Sequence, residues 1–373
     1  MNTLNELLNY GQSYWLDNLT RDKITSGELE KRVKEQGLRG ITSNPSIFNK
    51  AITESDSYDD QIRSLSSQGN TPEQIYEALT VKDVRDACDI LRPVFDSSSG
   101  IDGFVSLEVS PHLARDTKGT IDEVHRLYSA VGRPNCYIKI PGTAEGIPAI
   151  EQMLYEGIPI NITLLFSIER YTEVAEAYIR AISRRDNEGL PIDKLVSVAS
   201  FFVSRIDVLI DQLLRKNPSS NTKDVPDPQS LIGKAGVASA RLAYKRFKEL
   251  FSTDLWKQLE MKGARVQRPL WASTGNKDPL FYDLRYVETL IGPDTVNTLP
   301  DETITALADH GKLRRNSIEE ELNESHQLFV WLYDYGIDMT AITKQLEEEG
   351  IVKFNEAYDK LIDSLAKIKV KIS

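Results

Sequence analysis

Cys136-Tyr137-Ile138-Lys139-Ile140-Pro141, followed by Gly142-Thr143-Ala144-Glu145-Gly146, is a short run of β-formers that ends in a loop and a helix start. One residue in it breaks the apolar pattern. Lys139 lies near the C-terminal end of the run, with Ile138 and Ile140 on the opposite face. An ammonium beside a core is costly unless it is paired or neutralised. Burial favours the neutral amine, and a neutral amine attacks carbonyl carbon to form a Schiff base. Taken alone, such a lysine could simply snorkel out at a strand end. The rest of the chain weighs against that.

Outward from this strand, apolar runs alternate with amphipathic helical stretches. Upstream lie Tyr14–Asp17, Leu38–Thr42 and Gly103–Val109; downstream lie Ile158–Leu164, Leu195–Ser200, Val266–Ser273 and the weaker Thr295–Pro300. Helical patterns separate them, around Ser26–Gln36, Thr120–Val131 and Ser167–Arg184. Alternating β and α predicts a parallel sheet, and about eight such units predict a closed (β/α)8 TIM barrel in the α/β class. No G-x-G-x-x-G follows the first strand and no G-x-x-x-x-G-K-[ST] occurs, so nucleotide-binding folds lack support.

Two segments exceed a minimal barrel. Residues 45–100 read as helices inserted between the second and third strands. Residues 301–373 read as a helical C-terminal extension, expected to pack on the barrel exterior. The whole of 1–373 reads as one barrel domain, with no internal repeat. Asn217 to Pro228 is the most loop-like stretch.

Active sites of such barrels lie at the C-terminal ends of the strands. Polar residues gather there: Asp17, Asn44, Glu108, Lys139, Asn161 with Thr163, Ser200 followed by Arg205, and Ser273 followed by Lys277. Each has an ordinary structural alternative, such as a helix cap for Asp17, a turn for Asn44-Pro45 or a solvated charge for Arg205. Their recurrence on successive strands is harder to dismiss. A Schiff-base reaction needs a lysine, proton shuttles for dehydration and a base to trigger carbon–carbon cleavage. Asp17 and Glu108 could divide the proton work. Asparagine amides suit sugar hydroxyls, and Arg205, Ser273 and Lys277 suit a phosphate. No metal or cofactor is required, because the iminium is the electron sink.

Composition is that of an ordinary globular chain: 373 residues, 40% hydrophobic and 27% charged. A net charge of −11 argues against general nucleic-acid binding. No apolar run reaches the ~18–20 residues of a membrane span, so no membrane association is expected. The opening residues lack a signal core, and the cytoplasm is the default location. Four histidines are scattered without metal-ligand spacing. Cys88 and Cys136 have no neighbouring partner cysteine in sequence, and inert burial is expected. The extra helices offer a surface on which two copies could pair as a homodimer.

At these strand ends the sequence resembles transaldolase across nearly its whole length. Thr42-Ser43-Asn44-Pro45-Ser46, Ser106-Leu107-Glu108-Val109, Ile138-Lys139-Ile140-Pro141, Asn161-Ile162-Thr163-Leu164-Leu165-Phe166-Ser167 and Trp271-Ala272-Ser273-Thr274-Gly275 look like that family's strand motifs, in family order. The length and the helical extension look like its longer bacterial branch. The resemblance implies that Lys139 forms the Schiff base, that Glu108 shuttles protons through a water near Thr163, and that Asp17 handles the proton of the hydroxyl at the broken bond. It implies that Asn44 and Asn161 hold the dihydroxyacetone fragment, that Ser200 and Phe202 line the site, and that Arg205 and Ser273 bind phosphate. The implied substrates are sugar phosphates: dihydroxyacetone passes from sedoheptulose 7-phosphate to glyceraldehyde 3-phosphate, in the pentose phosphate pathway. One position departs. Many transaldolases carry arginine two residues after the serine matched by Ser273, where this chain has Gly275. Lys277 could supply the charge, without arginine's fork. Two alternatives stand beside this reading. A fructose 6-phosphate aldolase would tend to have glutamine and tyrosine in place of Glu108 and Phe202, and an inactive scaffold would not need the Asp17, Glu108 and Lys139 set.

Overall fold

The lysine strand is the fourth of eight in a closed barrel: β1 (Gln12–Asp17), β2 (Gly40–Thr42), β3 (Phe104–Glu108), β4 (Cys136–Pro141), β5 (Ile160–Leu165), β6 (Ser197–Phe202), β7 (Arg268–Ala272) and β8 (Thr295–Leu299). Each strand pairs in parallel with the next, and β8 returns to pair with β1. The computed structural model describes residues 3–216 and 225–372, with side chains to residue 369. The expected eight-unit α/β barrel is therefore present, including the weakly patterned eighth strand. Both faces of every strand are covered, which is why these runs read as near-continuous apolar segments.

Several strand limits differ from expectation. β2 keeps only three residues, Gly40 to Thr42. There the ring of Trp15 on β1 lies where a side chain on residue 40 would project, so only glycine allows the close approach. β6 starts later and runs on through the β-formers Phe201 and Phe202, so Ser200 sits two residues inside the strand rather than at its end. β7 stops at Ala272, and Ser273 turns out of it with φ of 56°. On β5 a register shift falls between Ile162 and Leu165, and Leu164 has φ of 61°. The bulge breaks the strict alternation expected of Leu164 and re-aims the strand end.

The insertion between β2 and β3 is helical, as expected: Pro45–Thr53, Asp59–Ser67 and the long Pro72–Ser97. The long helix starts where the sequence says it should. Thr71 accepts a hydrogen bond from the Gln74 amide, Gln74 reciprocates to the Thr71 amide, and Pro72 takes the first helical position. The extension beyond β8 meets the expectation of an exterior position in one helix and departs from it in the other. Its Leu322–Asp334 helix packs outside, on Ala235–Leu250. The final Met339–Ile372 helix instead crosses the C-terminal end of the barrel, touching β5 and the Pro45–Thr53, Pro72–Ser97 and Ser204–Lys216 helices. Gly350 permits this approach: a Cβ there would stand 3.0 Å from Leu164 Cδ2.

The opposite end of the barrel is closed by a buried ion pair. Arg268 donates to Asp102 at 2.9 Å and to Ser13 Oγ at 2.8 Å, and Ser13 donates to Asp102. Cys88, on the long inserted helix, and Cys136, at the start of β4, are both buried and adjacent, contrary to the absence of a partner cysteine in sequence. Burial first, then the neighbouring Cys136 thiol, push the Cys88 pKa up. Of the loop-like Asn217–Pro228 stretch, 217–224 lie outside the described residues, and Pro228–Ser230 forms a 3-10 turn.

Candidate active site

Strand register brings the site together. Glu108 is level with Lys139, and Lys139 with Asn161, so three neighbouring strands present one polar row. Lys139 is only 6% exposed. Its Nζ donates to Glu108 Oε2 at 3.2 Å and to the Ser43 carbonyl at 3.3 Å. It also lies 5.7 Å from the centre of the Phe354 ring, on the final helix. Burial pushes the Glu108 carboxyl above the usual carboxylate range; the Lys139 charge and hydrogen bond pull it back, and the nearby Asp17 charge pushes it up. Burial also raises Asp17, against the pull of Lys139, of the 2.8 Å hydrogen bond from Thr42, and of Lys277. Lys139 is thus held beside two carboxylates whose pKa burial raises, a setting suited to proton exchange.

A cavity of about 290 Å³ opens above this row. Asp17, Asn44, Lys139, Thr163, Ser200, Phe202, Arg205, Ser273 and Lys277 all line it. The Thr163 hydroxyl is buried and finds no hydrogen-bond partner among the described residues. Asn44 also caps the Pro45–Thr53 helix, accepting from the Ile47 amide at 3.1 Å, so cap and site roles coincide. Asn161 lies lower. Its amide donates to Ser106 Oγ at 3.0 Å and accepts at 2.7 Å from Ser200, which lines the cavity, so the buried chain runs down from the cavity wall. Glu108 is not among the residues that line this cavity; it reaches Lys139 from the side and faces a second cavity of about 370 Å³, shared with Tyr76, Glu123 and Tyr358.

The cationic residues gather at one end. Arg205 starts the Ser204–Lys216 helix, 5.6 Å over the Phe202 ring. Its Nη1 is buried without a hydrogen-bond partner among the described residues. The Ser273 hydroxyl meets that of Ser204 at 2.9 Å. A Cβ placed on Gly275 would lie 3.6 Å from Lys277 Nζ, so the lysine ammonium occupies the space next to the missing side chain.

Sequence reasoning missed several lining groups. Thr298 on β8 shares a 2.6 Å hydroxyl contact with Thr42, and Glu302 follows it at the rim. Lys353 and Phe354 come from the final helix, and no local signal in the sequence places that helix over the barrel mouth. Among the described residues, no three histidine, cysteine, aspartate or glutamate side chains gather as a metal site. Nor is any described helix long and apolar enough to cross a membrane.

A parallel barrel with a buried lysine at the C-terminal end of its fourth strand, near two carboxylates whose pKa burial raises, defines a lysine-centred (β/α)8 barrel. The chain belongs to the transaldolase/fructose-6-phosphate aldolase family, whose model matches residues 14–365. It is 47% identical to a transaldolase 2 of Nostoc sp. (strain PCC 7120) over 99% of this chain and 98% of the relative. It is 46% identical to a transaldolase of Trichodesmium erythraeum, with the same coverage. A transaldolase 2 of Streptomyces avermitilis is 45% identical over 97% of this chain and 95% of its own.

Proposed function

We propose that this protein is a transaldolase that carries a dihydroxyacetone unit on Lys139. The observation that carries the reading is the buried Lys139 Nζ, 3.2 Å from Glu108 and in the field of Asp17 at the floor of the cavity. Glu108 accepts the ammonium proton, and the free amine adds to the C2 carbonyl of the donor ketose phosphate. Protonation of the carbinolamine hydroxyl by Glu108 expels water and leaves an iminium. Thr163, whose hydroxyl has no partner among the described residues, is suited to hold that water beside Glu108.

The Asp17 carboxylate then takes the C4 hydroxyl proton. The C3–C4 bond breaks, its electron pair passes into the iminium to give an enamine, and the donor's aldehyde portion leaves. An acceptor aldehyde enters, the enamine carbon attacks it, and Asp17 returns the proton to the new hydroxyl. Water hydrolyses the product from Lys139. Sedoheptulose 7-phosphate and glyceraldehyde 3-phosphate thereby give erythrose 4-phosphate and fructose 6-phosphate. Asn44 addresses the sugar hydroxyls directly, and Asn161 acts from below through Ser200. Arg205, Ser273 and Lys277 receive the phosphate. Sugar phosphates are the partners of this site, in the cytoplasm, within the pentose phosphate pathway, and no cofactor enters any step.

Glu108 and Phe202 favour transfer over release of free dihydroxyacetone, as do the relatives' names. Product analysis decides between them. With fructose 6-phosphate and erythrose 4-phosphate, the protein should form sedoheptulose 7-phosphate without accumulating dihydroxyacetone. Steady release of dihydroxyacetone with no need for an acceptor would make it an aldolase instead.

A further inference from the structure

The catalytic cavity continues into an outer one of about 630 Å³, between the Ser204–Lys216 helix and the final Met339–Ile372 helix. Three cations, Arg205, Lys277 and Lys353, line both spaces and so mark their junction. Lys216 adds a fourth to the outer wall, where Glu349 is the one lining carboxylate among the described residues. On a chain of net charge −11, a local excess of cations at the mouth of the site is a specific feature. Lys353 Nζ pairs with Glu349 Oε2 at 2.9 Å, and its side chain is 54% exposed, so it can change partner at little cost. Hydrogen bonds from Lys353 and Gln345 lead in holding the Glu349 carboxyl below its usual range, and the Arg205 charge adds to them. Glu349 is thus the ion-pair partner of Lys353 and lies within the field of Arg205.

We propose that Lys353, on the final helix, is a further ligand of the substrate phosphate, and that it leaves Glu349 to bind it. The inference rests on the reading of Arg205, Ser273 and Lys277 as the phosphate end. It supplies from a distant helix the charge that Gly275 cannot provide. A phosphate at the junction meets the Arg205 guanidinium, Lys277 beside Gly275, and Lys353 from above. Because Lys353 directly precedes Phe354, which lies over Lys139, phosphate binding also holds the helix across the reacting carbon.

The test compares Lys353→Met, which keeps the apolar stem, with Lys353→Arg, Glu349→Gln and Arg205→Met. The readouts are KM and kcat for fructose 6-phosphate with erythrose 4-phosphate as acceptor, and the inhibition constant of inorganic phosphate. Lys353→Met should raise KM and the phosphate inhibition constant together by roughly fivefold, with kcat changed less than about twofold. Lys353→Arg should restore both, and Glu349→Gln should tighten phosphate inhibition. If Arg205→Met raises these constants while Lys353→Met leaves them unchanged, Lys353 is not a phosphate ligand and the underlying reading stands. If neither variant moves them, the phosphate end lies elsewhere and the inference falls with it. A loss in Lys353→Met confined to kcat would also overturn it.

Discussion

Lys139 was legible because a charge inside an apolar run needs a reason. The structure supplies that reason in a glutamate 3.2 Å away and a backbone carbonyl at 3.3 Å. Asp17 and Glu108 were legible as carboxylates at strand ends. The hydroxyls of Ser106, Thr42 and Thr298 were not, since serine and threonine in strands usually carry no special role. Asn161 was found, but its amide is already bonded to Ser106 and Ser200, a commitment no spacing reveals. Glu108→Gln keeps the shape and removes the acid–base function, so transfer should slow by about 100-fold with little loss of folding stability. Unchanged turnover would take Glu108 out of the mechanism. The raised carboxyls also set a pH dependence. Asp17 must be ionised to take a proton, and burial raises its pKa, so kcat should fall on acidification above the ordinary aspartate value. A pH–rate profile with its acid limb at or below that value would contradict this role for Asp17.

At the scale of elements, strands were legible from β-formers and apolar runs, and their limits shifted where packing overrode pattern. β2 spans only Gly40–Thr42, and the Trp15 ring packs against its first residue, Gly40. Gly40→Ala places a methyl into that ring, and the two must separate. The cost should be about 1–3 kcal/mol in denaturant unfolding, together with reduced activity, since Ser43 next to β2 carries the carbonyl that holds Lys139. Wild-type stability in this variant would show that β1 and β2 have slack the packing does not suggest. The bulge at Leu164 was not legible, because nothing in the local pattern marks it; in the fold Leu164 lies against Gly350 of the final helix. That helix was legible as a helix, but which surface it covers depends on contacts nearly 200 residues apart, as between Gly350 and Leu164.

For the whole molecule, alternation of strand and helix was enough to predict closure, and parallel pairing of β8 with β1 completes it. Stability carries its own pH signature. Asp211, on the Ser204–Lys216 helix, accepts a 2.7 Å hydrogen bond from the Gly233 amide. Burial pushes its carboxyl up to about 6, the Gly233 bond pulls it down and the Asp207 charge pushes it up. Its folded pKa exceeds the unfolded value, so the fold favours the neutral acid. That contribution is full below about pH 4 and is lost as pH rises through about 6. Asp211→Asn should therefore flatten the fall in unfolding free energy across this window by roughly 1–2 kcal/mol after allowing for solvent screening; an unaltered slope would reject the assignment. The central claim is that Lys139 carries dihydroxyacetone between two aldehydes. Borohydride reduction in the presence of fructose 6-phosphate, followed by peptide mass spectrometry, tests it most directly. The account predicts a dihydroxyacetone-sized adduct on Lys139, lost when glyceraldehyde 3-phosphate is added before reduction and absent in Lys139→Ala. An adduct on another lysine, or none on a folded protein, would contradict it.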